Sequence, residues 1–85
     1  MWITGHVVDA DGQGLPEVVI QVRGGAPGSR DAITNSRGDY VLQDLHPGAY
    51  TIRFVRPGYS TVDRVADVRT GFVATINAQL VRLLA

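Results

Sequence analysis

The segment Ala49-Tyr50-Thr51-Ile52-Arg53-Phe54-Val55 alternates strictly, with Tyr50, Ile52 and Phe54 set against Thr51 and Arg53. Successive side chains of an extended chain point to opposite faces. A period of two is therefore the mark of a strand with one face in a core and one in water. Glu17-Val18-Val19-Ile20-Gln21-Val22-Arg23 repeats the pattern, with Val18, Ile20 and Val22 on one side and Glu17, Gln21 and Arg23 on the other. Phe72, Ala74, Ile76, Ala78 and Leu80 repeat it once more against Thr75, Asn77 and Gln79, which groups Phe72 with the apolar face. No window shows the i, i+3, i+4, i+7 spacing of an amphipathic helix.

Turn chemistry separates these runs: Asp11-Gly12, Ser36-Arg37-Gly38, His46-Pro47-Gly48 and Arg56-Pro57-Gly58. Seven strands are expected, at Trp2–Asp9, Glu17–Arg23, Arg30–Asn35, Asp39–Gln43, Ala49–Val55, Tyr59–Val68 and Phe72–Val81. In the sixth, Val62, Val65 and Val68 break the alternation, which implies a bulge or an exposed edge. Short strands with evenly spaced turns predict an all-β, seven-stranded sandwich of Greek-key type. With 85 residues and no linker or low-complexity stretch, residues 1–85 are expected to form a single domain around one core.

Composition excludes several chemistries. The net charge is zero, so the clustered cations of a nucleic-acid binder are missing. All eight basic residues are arginine, a usage that fits a GC-rich bacterial coding sequence. Without lysine there is no Schiff base, lysine nucleophile or lysine crosslink. Without cysteine there is no disulfide, thiolate nucleophile or thiolate metal ligand. No apolar run reaches the roughly 20 residues of a membrane-spanning helix, so no membrane insertion is expected. The N-terminus shows no targeting signal.

Gly5-His6-Val7-Val8-Asp9-Ala10-Asp11-Gly12 followed by Leu15-Pro16-Glu17-Val18-Val19-Ile20 resembles the opening of the carboxypeptidase regulatory-like domain family. Thr34-Asn35-Ser36-Arg37-Gly38-Asp39-Tyr40, Leu45-His46-Pro47-Gly48-Ala49-Tyr50 and Pro57-Gly58-Tyr59 carry the likeness along the chain. The resemblance implies a transthyretin-like, or prealbumin-like, sandwich. It leaves function open, because such domains are accessory modules of very different parents. Independently of it, Gly38 and Gly48 stand where tight turns need positive φ. Tyr40, Tyr50 and Tyr59 each follow a turn glycine closely enough for their rings to close the sandwich ends and their hydroxyls to reach backbone groups or water.

Candidate sites are few. Asp9-Ala10-Asp11-Gly12 resembles the start of a calcium loop, but Gly14-Leu15-Pro16 interrupts the ligand series, and an aspartate-capped turn is the expected structure. Arg37-Gly38-Asp39 spells an adhesion tripeptide while also satisfying the needs of a hairpin turn. His6 and His46, the only histidines, lack the converging partners of a zinc or acid–base site. Related sandwiches that hydrolyse purine-breakdown intermediates end in Tyr-Arg-Gly-Ser, whereas this chain ends Leu80-Val81-Arg82-Leu83-Leu84-Ala85. Adhesin sandwiches closed by a lysine–asparagine bond are ruled out by the missing lysine. No catalytic, cofactor-binding or metal-binding residue is therefore assigned, and no cofactor is expected.

Trp2, Phe72, Leu83 and Leu84 remain as possible ligand or interface contacts. Trp2 and Phe72 are the aromatics available for exposure, with Trp2 expected to pack against the sandwich end. The apolar tail from Val81 onward is expected to continue the last strand or to dock on a neighbouring domain. The expected function is a non-catalytic accessory or interaction module of a larger, exported bacterial protein. Its partners would be neighbouring domains of the parent polypeptide, in an extracellular, cell-surface or periplasmic setting. The alternative is a carbohydrate-binding module, which would need exposed aromatics flanked by polar groups.

Overall fold

A computed structural model describes residues 2–23, 31–43 and 45–83. The described residues contain eight strands and no helix: β1 (Ile3–Val8), β2 (Val19–Arg23), β3 (Asp31–Ile33), β4 (Asp39–Leu42), β5 (Gly48–Val55), β6 (Val62–Val68), β7 (Ala74–Thr75) and β8 (Ala78–Gln79). One sheet runs β3-β2-β5-β6, all antiparallel. In the other, β1 pairs antiparallel with β4 on one side and parallel with β7 and then β8 on the other. The chain passes from sheet to sheet between β1 and β2, β3 and β4, β4 and β5, and β6 and β7. The expected all-β sandwich is present, with eight strands rather than seven.

The alternating residues form the core between the sheets. Ile20 and Val22 of β2 and Tyr50, Ile52 and Phe54 of β5 face Ile3 and Val7 of β1 and Tyr40 and Leu42 of β4. The rings of Tyr40 and Phe54 meet edge to face across the two sheets, centroids 5.7 Å apart at 72°. Polar atoms inside are paired. Thr34 Oγ1 accepts from the Val18 N–H at 2.9 Å and donates to the Leu15 carbonyl at 2.7 Å. The Tyr50 hydroxyl donates to the His46 carbonyl at 2.6 Å, so a buried ring closes the Pro47-Gly48 turn from beneath. Expectation and structure agree on these tyrosines: the Tyr40 hydroxyl, too, donates to a backbone carbonyl, that of Ile76, at 2.6 Å.

Two local expectations change, and a third is narrowed. The last strand, expected to be continuous from Phe72 to Val81, is divided at Ile76-Asn77. The cause is the Tyr40 hydroxyl, which takes the Ile76 carbonyl out of the ladder. Asn77 repairs the gap, its Oδ1 accepting the His6 N–H at 3.0 Å, and the register is unchanged on either side (Ile3 opposite Ala74, Val7 opposite Ala78). The second strand starts at Val19 instead of Glu17, because Glu17 has φ 61° in the turn after Pro16. A non-glycine residue there is uncommon, and here the Glu17 N–H donates to the Thr34 carbonyl at 3.2 Å. The irregular valines of the sixth strand reflect an edge without a bulge. Pairing from Gly48–Val68 to Phe54–Val62 is unbroken, and Val65 faces solvent.

Gly5 is the tightest point of this architecture. A Cβ there would lie 1.8 Å from the Ile76 carbonyl oxygen and 2.5 Å from Tyr40 Cε1. Backbone cannot yield by that much without moving the strand. Gly12, by contrast, has φ 81° but open space around the missing Cβ. Gly5→Ala is expected to cost about 4 kcal/mol or more, or to prevent folding, while Gly12→Ala costs roughly 1 kcal/mol from backbone strain alone. Urea denaturation of the two variants checks the difference; equal losses would contradict the close approach at Gly5.

Candidate functional site

Each end of the β1–β7/β8 pair carries exposed apolar residues. At the N-terminal end, the Phe72 N–H donates to the Arg69 carbonyl at 3.2 Å, closing a turn in which Gly71 has φ 83°. Pairing with β1 begins only at Ala74, opposite Ile3, so Phe72 and Val73 lie beyond the sandwich end. Phe72 is 70% exposed, Val73 61% and Trp2 49%. Trp2, Gly71, Phe72 and Val73 line an open cleft of about 290 Å³. One expectation is corrected here. Trp2 is half exposed instead of packed away, and Phe72, one of the two aromatics available for exposure, stands beside it.

At the C-terminal end, the tail does not hang free. The Leu83 N–H donates to the Gly58 carbonyl and the Ser60 N–H to the Val81 carbonyl, both at 2.8 Å. The Val81 N–H donates to Ser60 Oγ at 3.0 Å, and Tyr59 pairs with Arg82. The tail thus continues the last strand onto the β5–β6 connection, while the Val81 and Leu83 side chains remain exposed. Leu84 lies outside the described residues. Arg56 stacks over the Tyr59 ring at 5.1 Å. Asp9, Ala10, Asp11, Tyr59 and Arg82 line a small cleft of about 120 Å³.

The motifs singled out from the sequence are absorbed by turns. Asp9 Oδ1 accepts the Asp11 N–H at 2.9 Å and the Gln13 N–H at 3.0 Å, so this oxygen caps the turn expected of it. In Arg37-Gly38-Asp39, Gly38 is buried against Val7 and Leu15, and Asp39 begins β4. Asn35 Oδ1 accepts from both the Arg37 and Asp39 N–H groups. This tripeptide therefore runs from an exposed turn residue, Arg37, through a buried glycine into β4. Asp39 Oδ1 also stands 2.7 Å from His6 Nδ1 at the surface. Such a pair orients an imidazole; among the described residues no hydroxyl is hydrogen-bonded to the ring. His6, Val8, Arg64, Asn77, Ala78 and Gln79 border an open groove of about 490 Å³ beside it. His46 contributes its carbonyl alone, to Tyr50.

A family model for the carboxypeptidase regulatory-like domain matches residues 2–81. The chain belongs to that family. Among solved structures it is similar to the TIE protein of Bacillus anthracis, at TM-score 0.83 and 17% identity, covering 96% of this chain and 16% of that one. A streptococcal ancillary pilin follows at TM-score 0.78 and 20% identity, with 98% and 32% covered. The 3-chlorocatechol 1,2-dioxygenase of Rhodococcus opacus matches at TM-score 0.77 and 12% identity, with 96% and 59% covered. At these identities the likeness is one of fold. The chain spans less than two thirds of each of these proteins. No curated protein matches it.

Exposure of Phe72 predicts a mild phenotype. Phe72→Ser is expected to change stability by no more than about 0.5 kcal/mol, the usual range for surface substitutions. A loss above about 1.5 kcal/mol in urea denaturation would place the ring inside the core instead.

Proposed function

We infer that this domain is a non-catalytic spacer and interaction module. It would sit in series within a larger, surface-exposed polypeptide and be contacted at its ends by neighbouring domains. The observation that carries this reading is the parallel pairing of the first strand with the last. Because β1 and β7–β8 run the same way side by side, the chain comes in beside Trp2 and leaves beside Val81, at opposite ends of one sheet. Residues 2 and 83 are separated by a strand length and more, roughly 25–30 Å at 3.3 Å per residue. The whole body measures 41 × 19 × 16 Å. A domain wired this way lengthens its parent, whereas one with adjacent termini would hang from it as a side branch.

Both ends carry exposed apolar side chains, Trp2, Phe72 and Val73 at one and Val81 and Leu83 at the other. Patches of this kind mark contact surfaces. The cleft at Trp2 is lined by Gly71, Phe72 and Val73 besides the indole, with no polar side chain among them. Sugar recognition requires polar groups to orient the ring, so this lining favours a neighbouring domain as occupant over a carbohydrate. The family's regulatory-like character and the likeness to a pilin support the same reading, including an extracellular or cell-surface setting.

The absence of cysteine makes the test simple. Spin labels on Trp2→Cys and Leu83→Cys are expected to give one narrow distance distribution centred at roughly 25–30 Å. A centre below about 15 Å, or a distribution as broad as that of a flexible chain, would contradict the serial spacer.

A further inference from the structure

Resting on that serial reading, we propose that the β1–β7/β8 pair is a mechanical clamp, so that the domain resists tension transmitted along its parent chain. Load arriving at Trp2 passes into β1 and is handed directly to the last strand, its neighbour. The two ends are pulled in opposite directions along two parallel, adjacent strands, so the bonds joining them are loaded in shear and must break together. These include Ala74 N–H to the Trp2 carbonyl at 3.3 Å, Ile76 N–H to Thr4 at 2.8 Å and Leu80 N–H to Val8 at 2.9 Å. The break at Ile76-Asn77 would be the weak point of such a ladder, and it is reinforced twice. Asn77 Oδ1 holds the His6 N–H, and the Tyr40 hydroxyl holds the Ile76 carbonyl from β4. Beyond Leu80, the pairing of Val81 and Leu83 with Gly58 and Ser60 ties the tail to the opposite sheet before load reaches β8.

Forced unfolding reads the barrier to leaving the native state, which depends on where load is applied. Tandem copies of the whole chain are stretched by atomic force microscopy in two geometries. The first pulls through the backbone ends. The second pulls between an Ala10→Cys linkage and the C-terminus, which leave from the same end of the strand pair and so peel its bonds one by one. The expected unfolding force is several times higher through the backbone ends. Asn77→Ala is expected to lower the force in that geometry, whereas Tyr50→Phe, which loses a single hydrogen bond outside the clamp, leaves it at the wild-type value. Equal forces in the two geometries, or equal effects of the two variants, would overturn the clamp. The distance between labels at residues 2 and 83 is independent of these forces. A fixed, long separation with equal forces would refute the clamp and leave the spacer standing.

Discussion

The missing side chain at Gly5 is the constraint on which the architecture turns. It allows the Tyr40 ring to lie across β1 and its hydroxyl to reach the Ile76 carbonyl on the far side. Three consequences follow from this one approach. The ring meets Phe54 of the opposite sheet, joining the layers at the centre of the core. The Ile76 carbonyl, withdrawn from the β ladder, is satisfied where an unpaired buried group would cost about 1–3 kcal/mol. The vacated ladder position at His6 is then filled by Asn77, which keeps the last strand in register along the whole of β1. Burial also pushes the Tyr40 hydroxyl well above the ordinary phenol range, so it stays protonated and able to donate.

That register has a functional side. A last strand held parallel to the first puts the two chain ends at opposite poles. The apolar residues exposed there lie where neighbouring domains of a longer polypeptide would meet the sandwich. The flanks between the poles carry ion pairs such as Arg53–Asp63, directly across β5 and β6, alongside the exposed side chains of Ile33, Val41 and Val65. There the guanidinium hydrogen bonds hold the Asp63 carboxyl below its usual value. The His6–Asp39 pair and the aspartate-capped turn lie at the surface as structural elements of turns and strand ends.

Much of this was legible in the sequence, for identifiable reasons. The faces of β2 and β5 followed from strict alternation, and burial of Tyr50 followed from its parity with Ile52 and Phe54. The edge position of β6 was signalled by valines that do not alternate. What escaped depended on contacts between residues far apart in the chain. Nothing in the run Ala74-Thr75-Ile76-Asn77 announces a break, since the cause is a hydroxyl 36 residues away. Phe72 continues the alternation on paper, but β1 supplies no partner opposite it, and period alone cannot say where a sheet ends. The exposure of Trp2 was missed for the same reason. Glu17 looked like the first residue of a strand because its positive φ leaves no mark on a hydrophobic pattern, although Pro16 before it fits a turn.

The Tyr40 hydrogen bond is tested most directly by alkaline titration, with tyrosine ionisation followed in the ultraviolet and sheet content by circular dichroism. The folded value is raised, so stability is complete below the ordinary phenol value of about 10 and is lost as the pH rises above it. While the sheet signal persists, wild type and Tyr40→Phe are expected to release the same number of tyrosine protons, with Tyr40 ionising only as the fold is lost. One additional proton released by the wild type near pH 10, with the sheet signal unchanged, would show that the Tyr40 hydroxyl is not held inside the sandwich.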